Sequence, residues 1–114
     1  MEALYDGSGA VYAWLHETGK IYSLDGENLA FVDNDSVYDW SGNHIGWWQN
    51  GHIRDHRGAV ALYTADAQGL GVMRSLRQLR PLQPLRQLSP LKPMKAMKPL
   101  RPLNQMAWSP DQPF

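Results

Sequence analysis

Three histidines, His44, His52 and His56, lie in one stretch that also holds Asp55. Imidazoles beside a carboxylate are the donor types of a zinc or copper site. The His52-x-x-x-His56 spacing brings two ligands together only on a helix. A turn and a strand are the better reading of that stretch, so the rings need not converge and turn or surface histidines are the simpler assignment. Asp6, Asp39 and Asp55 recur at one position of a repeat, with Ser23 at that position in a further copy. A ring of carboxylates could bind a cation or work as an acid/base pair. More simply, Asp in such turns accepts backbone N–H bonds. Ser8 and Ser41 sit in the same turns, without the G-x-S-x-G elbow of a serine hydrolase. Asp6-Gly7-Ser8-Gly9 contains a Gly-x-Gly, but neither a P-loop, a dinucleotide fingerprint nor H-E-x-x-H is present. The Trp and Tyr rings could cage a quaternary ammonium or a sugar, but their in-phase repetition makes them core first. The chain shows no complete catalytic set, so no catalytic residue, metal or cofactor is expected.

Those residues must be positioned by a chain of 114 residues, the size of one domain. Cysteine is absent, which excludes disulfides, thiol catalysis and Cys-based metal centres. No apolar run approaches the ~18 residues of a spanning helix. Met1–Ala10 lacks the basic and apolar regions of a secretory leader, so a cytoplasmic location is expected. The net charge of zero hides two unlike halves. Residues 1–73 carry three basic and ten acidic residues, 3 − 10 = −7, whereas residues 74–106 carry eight basic residues and no acid. All ten glycines lie in residues 7–71 and all eight prolines in residues 81–113. An acidic head and a basic tail are thus joined through a Gly-containing linker. The expected organisation is a β-repeat head at 1–66, a linker at 67–73, a tail at 74–106 and an aromatic end at 107–114.

The head repeats at a period of about sixteen residues. Tyr5-Asp6-Gly7-Ser8-Gly9 aligns without gaps on Tyr38-Asp39-Trp40-Ser41-Gly42, and each continues to a large apolar residue, a small residue and Trp. Tyr22–Phe31 is a third copy, and Arg54–Tyr63 a weaker fourth. Aromatic and β-branched residues favour strands. Gly after Asp or Ser admits positive φ in a tight turn, and Asn50-Gly51 is a hairpin signal. The pattern predicts eight strands, near 3–6, 11–15, 20–24, 28–32, 36–39, 44–49, 52–55 and 59–64, in four consecutive hairpins. A lone hairpin is marginal in water; four can cover one another's apolar faces if they close. Trp14, Phe31, Trp47 and Tyr63 hold equivalent positions and should form equivalent layers of a shared core. Ala13, Ala30 and Gly46 before them suggest close backbone approach, a rule that Leu62 breaks.

These copies, the run Gly46-Trp47-Trp48-Gln49-Asn50-Gly51 and the Pro-Leu-Arg/Lys tail resemble the bacterial four-fold beta flower proteins over nearly the whole chain. The resemblance implies an all-β pseudo-fourfold ring of hairpins and no assigned activity. Choline-binding repeats and YD-repeat shells are also Gly- and aromatic-rich, but their periods are longer.

The tail has a strict period of three. Every third residue from Leu76 to Met106 is Leu or Met, eleven without a miss. The next position is mostly basic (Arg77, Arg80, Arg86, Lys92, Lys95, Lys98, Arg101) and the third mostly Pro or Gln. An α-helix has the wrong period and rejects interior proline. An extended, polyproline II-like arm has three residues per turn and accepts it. At ~3.1 Å per residue the arm would reach roughly 95 Å, against a head about 25–30 Å across, so a straight rod cannot lie along its own head.

An apolar stripe of this length marks an interaction surface. The leading expectation is a non-catalytic interaction or assembly module, with the seven basic residues named above as partner-binding. The tail's partner is then the chain's own acidic head or another copy. Alternatives are an anionic partner, either nucleic acid or an acidic membrane surface, a groove that reads proline-rich segments, a solvated disordered tail, and a small-ligand site or enzyme on the head. Trp108 and Phe114 are expected to anchor the chain's end in a pocket.

Overall fold

Alternating apolar residues and seven turn signals produce eight short antiparallel strands. A computed structural model describes residues 1–114. In chain order the strands are β1 (Glu2–Tyr5), β2 (Val11–Leu15), β3 (Lys20–Tyr22), β4 (Asn28–Asp33), β5 (Ser36–Asp39), β6 (His44–Gln49), β7 (His52–Arg54) and β8 (Val60–Tyr63). Each pairs with the next, and β8 returns to β1 through Tyr5↔Tyr63, so the sheet closes as a barrel. There is no helix. The strands match the sequence expectation to within a residue or two, and the chain is all-β as the resemblance implied. Each repeat hairpin carries a register shift: at Leu4/Tyr5, Ile21/Tyr22, Val37/Tyr38 and Ile53/Arg54.

Side chains alternate between two layers, as the pleat requires. Leu4, Ile21, Val37 and Ile53 fill the barrel interior, each fully buried. Their cross-strand partners are Ala13, Ala30, Gly46 and Leu62. Three of the four pairs are large against small, which is what so narrow a barrel admits. A Cβ on Gly46 would lie 2.7 Å from the Arg54 carbonyl oxygen, so the backbone does approach closely there. The other layer carries the rings. Trp14, Phe31, Trp47 and Tyr63 are all buried, and so are Tyr5, Tyr22 and Tyr38.

The repeat turns are built alike. Asp6 Oδ1 accepts from the N–H groups of Ser8 and Ala10, Asp39 Oδ1 from Ser41 and Asn43, and Asp55 Oδ1 from Arg57 and Ala59. Ser23 Oγ takes the same two bonds in the second copy, from Asp25 and Glu27. The repeated carboxylate therefore satisfies turn amides. After the barrel, Ala67 and Leu70 turn back into the ring layer and are buried.

Residues 74–105 contain neither helix nor strand, and they encircle the head. The Gln78 N–H donates to Gly9 O, Gln87 to Gly26 O, Ala96 to Gly42 O and Gln105 to Gly58 O, at 2.8–3.0 Å. One nine-residue segment thus serves each hairpin. At ~3.1 Å per residue the arm's length of roughly 95 Å is the circumference of a circle about 30 Å across, which fits a molecule of 37 × 37 × 21 Å. The length mismatch of a straight rod is resolved by curvature. The chain end is fastened to β8: Val60 donates to Ala107 O and accepts from Ser109 N–H.

Candidate interaction surface

The tail lies close enough to the repeat turns that only glycine fits beneath it. At Gly26 and Gly42, φ is +90° and +91°, and a Cβ would overlap the carbonyl oxygens of Leu85 and Met94. Gly9 and Gly58 meet Leu76 and Leu103 in the same way. The glutamines add side-chain bonds: Gln78 Oε1 accepts from Val11 N–H and Gln87 Oε1 from Asn28 N–H.

Held in this register, most of the basic residues face the aromatic layer. Arg77 lies 5.6 Å from the centre of the Tyr5 ring, Lys92 5.2 Å from Phe31, Lys95 5.9 Å from Tyr38 and Arg101 5.7 Å from Trp47. Arg74 lies 5.5 Å from Tyr63. These are cation–π distances. Lys95 also bonds Asp33, and Lys98 bonds Asp35 at 2.7 Å. The lysine bonds hold both carboxyl groups below the usual range, despite an opposing push from desolvation. Of the seven basic residues expected to bind a partner, five therefore face the chain's own head. Arg80 and Arg86 make no ion pair or ring contact.

The apolar position faces the other way. From Leu76 to Met106 every Leu and Met of the triplet register is 84–97% exposed, and Met73 extends the register one step back. A chain that wraps its head would ordinarily bury its leucines. Here the cations are turned in and the leucines out, which the sequence left open.

Arg54 is the residue that sequence reasoning missed. It stands where the other copies have Tyr5, Tyr22 and Tyr38. Its buried guanidinium donates to Gly58 O and Gln105 O through Nη1, and to Gly69 O and Leu70 O through Nη2. It thereby ties the linker and the end of the tail to the fourth hairpin. Nε donates to His52 Nε2 at 3.1 Å, so that nitrogen is an unprotonated acceptor. Burial and the Arg54 charge push His52 down to about 4. Counting on in nines from Arg77, through Arg86 and Lys95, brings Asn104 to the copy that holds Arg54. A neutral residue there avoids opposing two cations. The signal was the missing tyrosine of the fourth copy.

The histidines divide. His44 Nδ1 meets His56 Nε2 at 2.9 Å and its Nε2 meets Ser36 Oγ at 3.1 Å, while His52 goes with Arg54. Burial and then His56 lower the pKa of His44. At the end, Trp108 packs 5.6 Å from Tyr63, with Nε1 donating to Met73 O, and Phe114 O accepts from Tyr12 OH. A cleft of about 580 Å³ opens between Met1, Glu2, Leu15, His16, Glu17, Gly19, Val32 and Trp48. Its imidazole is occupied by Thr18 of its own turn.

The family model described as 4-fold beta flower protein matches residues 2–113. Neither a curated protein nor a solved structure matches the chain. No helix is long and apolar enough to cross a membrane.

Proposed function

The chain belongs to the four-fold beta flower family, and from that premise we propose that it is a non-catalytic interaction module whose working surface is the outward apolar ring of its tail. The units are the β-repeat head at 1–66, the turn-back at 67–73, the tail at 74–106 and the aromatic end at 107–114. The basic residues Arg77, Lys92, Lys95, Lys98 and Arg101 take the chain's own head as their partner and fix the orientation of the tail. Arg80 and Arg86 remain free for an external one. The observation that carries this reading is the exposure of the whole Leu/Met register while its cations point inward. Apolar side chains serving the fold would be buried, and eleven Leu and Met residues serving nothing would not recur at a fixed step.

The test is the variant Leu79→Ser/Leu82→Ser/Leu88→Ser/Leu91→Ser in the full chain. Its thermal midpoint should equal that of the wild type, and its retention on a phenyl resin should be lost. A large fall in the midpoint would mean the leucines hold the head together, and absence of wild-type retention would remove the docking surface itself.

A further inference from the structure

We propose that the surface this ring docks on is an anionic lipid bilayer, entered only to the depth of the Leu and Met side chains. The inference rests on the docking reading above and names its partner. Two competing occupants are disfavoured by the same observations. A protein partner needs a packed apolar patch of defined shape at the centre of its interface. The ring instead offers separate side chains, each 84–97% exposed and so barely touching its neighbours. A fluid surface moulds around such side chains; a folded protein does not. A second copy would set Arg80 and Arg86 against the same two arginines.

The charge selects a lipid of opposite sign. Arg74, Arg77, Lys92 and Arg101 lie over rings of the head and Lys95 and Lys98 are paired with Asp33 and Asp35, which leaves Arg80 and Arg86 for the lipid. Arg80 and Arg86 follow directly on Leu79 and Leu85. An apolar insertion supported by cationic side chains beside it is the two-part arrangement that holds peripheral proteins on membranes. Depth is limited by the backbone. Within residues 74–106 only Gln78, Gln87, Ala96 and Gln105 give their N–H to another backbone group. The remaining amides need water, so the tail backbone stays in the headgroup region.

Flotation of the full chain tests this, with vesicles of phosphatidylcholine alone and of phosphatidylcholine containing a minority of phosphatidylglycerol. Binding is expected only to the mixed vesicles, with release at high salt. Arg80→Gln/Arg86→Gln should bind about thirtyfold more weakly. The four-leucine variant should lose binding, with its circular dichroism and melt unchanged; should it misfold, Met97→Ser/Leu100→Ser serves in its place. Failure of the wild type to float with the mixed vesicles overturns the lipid assignment, as does binding that the serine variants leave intact. Leucine-dependent dimerisation without flotation overturns the lipid assignment while leaving the docking reading in place. Loss of phenyl-resin retention as well overturns both.

Discussion

Two neighbouring residues of β7 determine how the molecule closes. Arg54 has no carboxylate within ion-pair distance; its charge is spread over four backbone carbonyls. Those carbonyls belong to the fourth hairpin, the turn-back and the tail's last contact. Arg54→Met keeps the bulk and removes all four bonds; Gly58 O keeps the Gln105 N–H, and the three acceptors left unpaired cost about 1–3 kcal/mol each. The expected loss is about 3 kcal/mol or more, read by urea unfolding. A loss within experimental error would mean that water replaces the guanidinium and that the tail is closed by other contacts. His52 accepts from the Arg54 Nε–H and must be neutral to do so. With a folded value of about 4 against an ordinary 6.5, the unfolded chain binds the extra proton first as pH falls. Stability is therefore fully present above about pH 6.5 and declines toward about pH 4. His52→Gln should flatten the melting temperature across that window; an unchanged slope would place the pH dependence elsewhere, with His44 the next residue to replace.

At the scale of elements, the tail is a ladder with one rung per hairpin, and proline marks where the rungs are absent. The third position of the triplets reads Gln78, Pro81, Pro84, Gln87, Pro90, Pro93, Ala96, Pro99, Pro102, Gln105. Every third member keeps an N–H, and those four amides are the ones that donate to Gly9, Gly26, Gly42 and Gly58. Ala96→Pro should suit the local backbone yet cost about 1–2 kcal/mol, by leaving the Gly42 carbonyl unpaired. Pro99→Ala should cost far less. Hydrogen exchange should find the amides of residues 78, 87, 96 and 105 protected among unprotected neighbours; uniform exchange along the tail would contradict the ladder. The nine-residue step was present in the sequence, as the spacing of the glutamines, but it has meaning only beside a sixteen-residue repeat that supplies the acceptors. The strands were legible because alternation, Asp turns and Asn50-Gly51 are local signals. The large-to-small pairing inside the barrel was half legible, through Ala13, Ala30 and Gly46. Which tail face turns inward was not, since a period of three creates three faces and nothing local ranks them. The cations turn inward because the head presents ring faces and the carboxylates Asp33 and Asp35.

At the scale of the whole molecule, the tail adds mass without adding size. The radius of gyration is 13.3 Å over Cα atoms, about what a single folded domain of this length should have. An acidic head and a basic tail suggest a charge-held arm that salt would release, but the contacts argue otherwise. The two exposed lysine–carboxylate pairs are screened by salt. The four backbone bonds, the Arg54 cluster and the packing of Trp108 on Tyr63 are not. Small-angle scattering of the wild type should therefore give the same radius at low and high salt, while Arg54→Met should expand at both. A wild-type radius that rises with salt would show that charge, and not the nine-residue ladder, keeps the tail on the head. The leucines would then face outward only while the charges hold, and the apolar ring would no longer be a fixed feature of the fold.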